Sequence, residues 1–378
     1  MISDWPCISE SRIISPMDDL LSLVMRLTEV PSVAQNQEDL VRVIAIADEF
    51  LPDGLVRYRY ERETRPSMVV SFVEGKHPET LFLAHLDVVD AKPEQFRPRL
   101  EGDRLYARGA LDMKGPAAVL LTVFRDLYNE GKRPSAALML TTDEEIGSAN
   151  GVAYLVREEG WSADFVIIPD GGPGFTLVTK GKGAFHIRAE STGRSAHGSA
   201  TWAGDNAIDK LIRFYEDLKK IFSVPEPCGD EGHWHETLNL GVIKGGKKVN
   251  IVPDSAEAHF DIRFTEAWTV RKVEGVVAEL AKKHGVRFEV ESTGEPFNTP
   301  RDEPHLRAFA RCMEEVLGRP PVYGHEHGAT DGRFFSERGI PTVITYPEGG
   351  GIHGDEEWVS VSALTRLYHI IRKYLEAR

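Results

Sequence analysis

Short apolar runs that end abruptly in histidine or carboxylate recur along this chain. "LFLAHLD" (Leu81 to Asp87), "ALMLTTDEEIG" (Ala137 to Gly147) and "FVIIPDGG" (Phe165 to Gly172) all have this form. Each run is short and does not alternate with polar residues, which suits a strand buried on both faces. Between and before them lie helical patterns. They are a Met17 to Phe50 region broken at Pro31, "GPAAVLLTVFRDLYNEG" (Gly115 to Gly131) closed by glycine, and "GVAYLVREEG" (Gly151 to Gly160). Strands alternating with helices of this length predict an α/β sheet covered on both faces. In such sheets functional groups gather beyond the carboxyl ends of the strands.

The pattern changes after Gly183. "AFHIRAES" reads as a strand, "NAIDKLIRFYEDLKKIF" as a helix, and "TLNLGVIKGG" and "SAEAHFDIRFT" as two strands. "TVRKVEGVVAELAKKHG" is a second helix and "VRFEVEST" a closing strand. The order βαββαβ is that of a ferredoxin-like α+β unit. The chain then returns to a helix, the strand "IPTVITY" and a final helix "SALTRLYHIIRKYLEAR". The expected organisation is an α/β catalytic domain of residues 1–181 and 296–378, into which a smaller domain of residues 182–295 is inserted. Gly181 to Gly183 and Gly294 to Pro300 are the candidate hinges.

Composition removes several function classes. A formal net charge of −14 over 378 residues argues against nucleic acid or an anionic membrane as partner. No stretch approaches the roughly 18 apolar residues of a membrane span, and the N-terminus does not read as a signal peptide. Cys7, Cys228 and Cys312 are odd in number and far apart, so no disulfide framework or CxxC knuckle is expected, and a reducing cytoplasm is the natural setting. There is no G-x-S-x-G elbow for a nucleophilic hydrolase and no G-x-G-x-x-G turn opening a helix after the first strand for a dinucleotide.

What remains is a set of acids and imidazoles at strand ends and turns: His85 and Asp87, Asp112, the triplet Asp143, Glu144 and Glu145, Asp170, and Glu348, His353 and Asp355. Two imidazoles with several carboxylates suit zinc, cobalt or manganese. Calcium favours oxygen alone, and structural zinc favours thiolate.

"HLDVV", "GALDMKG", "TTDEEIG", "PDGG" and "IHGDEE", in this order, resemble the dinuclear-zinc family of the aminoacylases, acetylornithine deacetylase, succinyl-diaminopimelate desuccinylase and glutamate carboxypeptidase. The resemblance covers nearly the whole chain. It implies a zinc-peptidase-like catalytic domain with a ferredoxin-like lid, a homodimer, and two divalent metal ions, zinc first, with cobalt or manganese as alternatives. Asp112 would bridge the metals, with His85 and Asp170 on one and Glu145 and His353 on the other. Asp87 would orient His85. Glu144, left without a metal, would take the proton of the bridging water as general base.

In the inserted domain, His197 in "RSAHGS" resembles a lid histidine that reaches the partner subunit's site. Asn250 and Arg263 match positions that contact a substrate carboxylate, and Arg333 in "TDGRF" could hold one bidentately. His325 and His327 are additions with no assigned role. The implied activity is hydrolysis of an N-acyl amino acid. A dipeptidase or carboxypeptidase is the alternative, because aspartate at position 170 resembles the peptidase members. A metal- or ligand-binding protein without catalysis would be expected to lack part of this machinery, and Glu144, Asp87 and all five ligand positions are present.

Overall fold

A computed structural model describes residues 16–224, 228–229, 232–328 and 330–378. Cys7 and the N-terminal segment considered above lie outside the described residues. The larger sheet runs, in spatial order, Val56–Arg62, Arg65–Ser71, Ala136–Thr141, Thr80–His85, Phe165–Ile168, Thr342–Ile344, Thr176–Gly181 and Phe297–Asn298, with Val322–Glu326 also pairing Thr176–Gly181. At its centre Thr80–His85 lies parallel to both Ala136–Thr141 and Phe165–Ile168, and Thr342–Ile344 continues the parallel set.

Every residue of the Thr80–His85, Ala136–Thr141 and Phe165–Ile168 strands is buried, as continuous apolar runs require. Alternate side chains enter different cores. Phe82, Ala84, Leu138, Leu140, Phe165 and Ile167 pack on one face with helices Lys114–Asn129 and Val361–Glu376. Leu81, Leu83, Ala137, Met139, Val166 and Ile168 pack on the other against Val152, Trp161 and Phe335. The fold is therefore the α/β class expected, with both faces covered. The predicted break at Pro31 separates helices Pro16–Thr28 and Gln37–Phe50, and Asn36 caps the second by accepting the Asp39 N–H.

The second sheet has the order Thr237–Gly245, Ser255–Phe264, Gly183–Thr192, Val286–Gly294, all antiparallel. With helices Ala207–Phe222 and Val270–His284 it forms the βαββαβ arrangement around a core of its own. The chain leaves the large sheet after Gly181 and returns at Phe297, and the two crossings touch: Ala184 pairs with Gly294 in one sheet and Gly181 with Phe297 in the other. A side chain at Gly181 would stand 2.3 Å from the Phe297 ring, so only glycine allows this contact.

Phe124 anchors the first core, fully buried, stacked on Phe72 at 4.8 Å and edge-on to Phe82 at 6.1 Å. Phe124→Ala is expected to lower stability by about 3–5 kcal/mol, read as a reduced midpoint in urea unfolding. An unchanged midpoint would show that this core does not limit stability.

Candidate metal centre

The parallel strands deliver their acids and imidazole to one edge. His85 pairs with Thr141 across the ladder, which sets the start of the Asp143–Glu145 turn beside the imidazole. Phe165–Ile168 brings Asp170 to the same edge. Asp112 comes from the turn before helix Lys114–Asn129. His353 arrives from the C-terminal part of the chain on a tight loop. There Gly351, at φ 71°, occupies a position where a Cβ would meet the Glu356 carbonyl at 2.4 Å, and His353 itself is left-handed at φ 59°.

The Asp112 carboxylate lies between the two imidazoles, one oxygen toward each. Its Oδ1 is 3.0 Å from His85 Nε2, and its Oδ2 is 3.1 Å from His353 Nε2. His85 Nε2 also faces Asp170 Oδ2 at 3.8 Å, and His353 Nε2 faces Glu145 Oε2 at 3.4 Å. Two ligands on a tetrahedral ion with bonds near 2.1 Å are separated by roughly 3.4 Å. The donor spacings bracket that value on the His85 side of Asp112 and run up to it on the His353 side. Nitrogen and carboxylate donors at these separations fit a pair of divalent ions of the zinc class.

Charge within the cluster agrees with this fit. Burial works against the Asp112 carboxylate, but the imidazoles of His353 and His85 outweigh it and hold its pKa well below the usual range. Burial pushes Asp170 well up, reinforced by the neighbouring Asp112 and opposed by His85. Burial likewise raises Glu144 well above an ordinary glutamate; His85 pulls the other way, while Asp331, Asp170 and Glu145 add to the rise. Many carboxylates face few cationic side chains here, the arrangement that bound divalent ions relieve.

Asp87 is fully buried and fixes two of the parts. Its backbone carbonyl lies 3.1 Å and its Oδ1 3.5 Å from His85 Nδ1, which directs the ring's other nitrogen toward Asp112. Its Oδ2 accepts the Glu145 N–H at 3.0 Å, fixing the turn that carries both glutamates. Asp143 faces away from that pair and accepts the Asn150 and Gly151 N–H groups at 2.8 and 2.9 Å. Burial pushes its carboxyl up to about 6.

Other sequence candidates are placed elsewhere. Arg333, in helix Gly332–Ser336, donates to the Gly147 carbonyl at 3.1 Å and so reaches the glutamate turn. His197 is exposed and contacts Ser199, and its neighbour Gly198 donates to the Asn250 carbonyl at 2.8 Å. Arg263 pairs with Asp261 at 2.7 Å and lies 3.2 Å from His186. Within one chain, then, His197, Asn250 and Arg263 contact residues of the inserted unit and are not gathered at the acid–imidazole cluster. Asp355 pairs with Lys92 at 2.6 Å, and Glu348 lies 4.0 Å from Arg366.

The most consequential residue missed in the sequence is Glu357, 2% exposed. Its Oε1 accepts the Leu111 and Asp112 N–H groups at 2.9 and 3.1 Å. Its Oε2 accepts the Gly109 N–H at 3.0 Å and the Arg108 guanidinium at 2.6 Å. Arg108 in turn donates to the Gly354 carbonyl at 3.0 Å, next to His353. Asp331 was also missed; buried, it accepts the Ser148 hydroxyl and braces the far side of the glutamate turn. Neither the acidic run around Glu357 nor the glycine-rich segment around Asp331 carried an apolar periodicity that would have marked the residue as buried.

Comparisons with known proteins place the chain in a family. The model for peptidase family M20/M25/M40 matches residues 81–377. The chain belongs to that family. Membership makes it a metal-dependent amidohydrolase, a deacylase or a peptidase. A succinyl-diaminopimelate desuccinylase of Alkalilimnicola ehrlichii is 28% identical over 325 residues, covering 79% of this chain and 84% of the relative. One from Xylella fastidiosa strain M23 is 27% identical over 387 residues, covering 96% and 100%. Among solved structures, the aminopeptidase PepT of Bacillus cereus superposes with a TM-score of 0.77 at 20% identity, over 95% of this chain and 98% of that one. The M20 family metallo-carboxypeptidase Sso-CP2 of Sulfolobus solfataricus gives 0.75 at 19%, over 95% and 99%. Among the described residues no helix is long and apolar enough to cross a membrane.

Two predictions follow from the surroundings of Asp112. Glu357→Gln replaces one acceptor oxygen by a donor and leaves Arg108 without its counter-charge. Metal affinity should fall about 10–100-fold, the loss seen when supporting residues are changed, as measured by metal titration; an unaltered affinity would remove Glu357 from that role. Lys114 is fully buried and donates to the Val30 carbonyl at 2.7 Å. Burial pushes its ammonium down to about 7, against the pull of Asp87, Glu357 and Asp39. The folded chain then binds fewer protons at this site than the unfolded one, so stability rises as pH climbs from about 7 toward the ordinary lysine value near 10. Lys114→Met should flatten that rise in denaturant titrations across the same window, and an identical slope in both proteins would contradict the depression.

Proposed function

We propose that the chain is a dinuclear-metal deacylase that hydrolyses the amide bond of an N-acyl amino acid. The observation that carries this reading is the Asp112 carboxylate shared between two imidazoles, with Glu144 buried in the same cluster and influenced by His85 and Asp170. His85 and Asp170 would hold one ion, Glu145 and His353 the other, and Asp112 both. Zinc is the ion the donor set fits best, with cobalt or manganese as alternatives. When bound, the ions supply Lewis acidity, acidifying water and polarising the scissile carbonyl.

The chain's own contribution is orientation and proton transfer. Asp87 keeps His85 in the tautomer that presents Nε2. Glu144 accepts a proton from the attacking water and delivers it to the leaving amine nitrogen. Arg333, tethered to the glutamate turn, supplies a cation for a substrate carboxylate. Arg263, Asn250 and His197 belong to residues 182–295, which act in this reading as a lid over the cleft. His197 would serve a second copy of the chain in a cytoplasmic homodimer. Trp202, 83% exposed, and the fully exposed Val249 lie in the same stretches as His197 and Asn250 and would be covered there. Desuccinylases matched over most of this chain favour an N-succinyl substrate, while the family also contains peptidases.

Amine release from N-acetyl- and N-succinyl-amino acids and from dipeptides, with metal-loaded protein, separates deacylase from peptidase. Glu144→Gln should retain wild-type metal content and lose about 10²–10⁴-fold in turnover. Turnover near wild type would sink the base assignment, and release from dipeptides alone would replace the deacylase reading by the peptidase one.

A further inference from the structure

A second group of metal-competent side chains lies far along the chain from the cluster just described. Cys228, His233 and His235 sit between helix Ala207–Phe222 and strand Thr237–Gly245, and their ligand atoms all fall within 4.8 Å of one another. Cys228 Sγ is 3.3 Å from His233 Nδ1. A tetrahedral ion with a sulfur bond near 2.3 Å and a nitrogen bond near 2.05 Å separates those donors by roughly 3.6 Å. His235 Nδ1 lies 2.8 Å from the Glu236 carbonyl, which places the ring proton there and leaves Nε2 as the donor atom, the arrangement by which metal-ligating histidines are oriented. Cys228 is not in a disulfide.

The surroundings locate the group at the crossing between the two sheets. Lys182, the single residue between strands Thr176–Gly181 and Gly183–Thr192, donates to the His233 carbonyl at 3.0 Å. His325 donates to the Gly232 carbonyl at 2.9 Å and packs against Trp234 at 4.6 Å, with His327 alongside at 5.2 Å. Trp234 donates its indole N–H to Glu266 at 2.9 Å. Glu326, next to His325, accepts the Gly172 N–H at 3.3 Å, two residues beyond Asp170. One strand therefore touches both the Cys–His loop and the loop of a catalytic-site carboxylate.

We propose that Cys228, His233 and His235 bind a single thiophilic divalent transition-metal ion of the zinc class, at a site separate from the catalytic pair. The thiolate selects such an ion over magnesium or calcium. Binding ties Cys228, His233 and His235 to the strands through which the inserted unit joins the body, so the role of the ion is to set that junction. The site stands whichever acyl or peptide substrate the enzyme cleaves.

The test uses the full-length protein reconstituted with Co²⁺. The catalytic cluster holds no sulfur, so a thiolate-to-cobalt charge-transfer absorption reports the second site alone. Wild type should show that band, Cys228→Ser should lack it, and metal analysis should find one ion fewer per chain in the variant. His235→Gln keeps the thiol and should lower cobalt affinity at this band by about 10-fold or more. No band in wild type, or a band of equal strength in Cys228→Ser, overturns the proposal. Equal metal content in wild type and Cys228→Ser overturns it as well.

Discussion

The metal centre depends on one buried ion pair, Arg108 with Glu357. Removing two such charges from water costs several kcal/mol per ion, and a buried pair persists only when its remaining hydrogen-bonding capacity is used. Most of it is used here: each Glu357 oxygen has two donors and Arg108 adds the Gly354 carbonyl, while the buried Arg108 Nε has no partner. The same contacts that satisfy the pair fix the backbone at Asp112 and the loop at His353. Stability and ligand geometry are thus served by one set of bonds.

Around that fixed frame the carboxylates differ by environment rather than by type. Asp112 is held ionised by two imidazoles, whereas Asp170 and Glu144 are pushed toward the protonated form by burial and by neighbouring carboxylates. Glu144 and Glu145 are adjacent in the chain, yet Glu145 faces His353, and its N–H is held by Asp87. Adjacent acids on a short turn diverge, which is how two neighbours can carry different duties.

Much of this was legible in the sequence because the central strands are apolar on both faces and end in charged residues, so pattern and position carry the same information. The βαββαβ unit was equally legible, since its helices and alternating strands follow standard periods. Strands Thr176–Gly181 and Val322–Glu326 were not recognised. One is interrupted by threonine and lysine, the other holds glycine, histidine and glutamate, and both form by pairing with each other across a long chain separation. Glu357 and Asp331 were invisible for a related reason: an acid whose partners are backbone N–H groups far away in sequence looks like any solvated acid. His325 could be placed only once Trp234 and Gly232 stood beside it.

The Arg108–Glu357 contact spans 249 residues of sequence, with the whole inserted unit between its ends. During synthesis the inserted unit, whose core draws only on its own elements, can fold while the residues around Glu357 are still being added. The Asp112 turn gains its acceptor only when the segment from His353 to Glu357 has emerged. The frame around Asp112 is therefore completed only after the whole inserted unit has been synthesised.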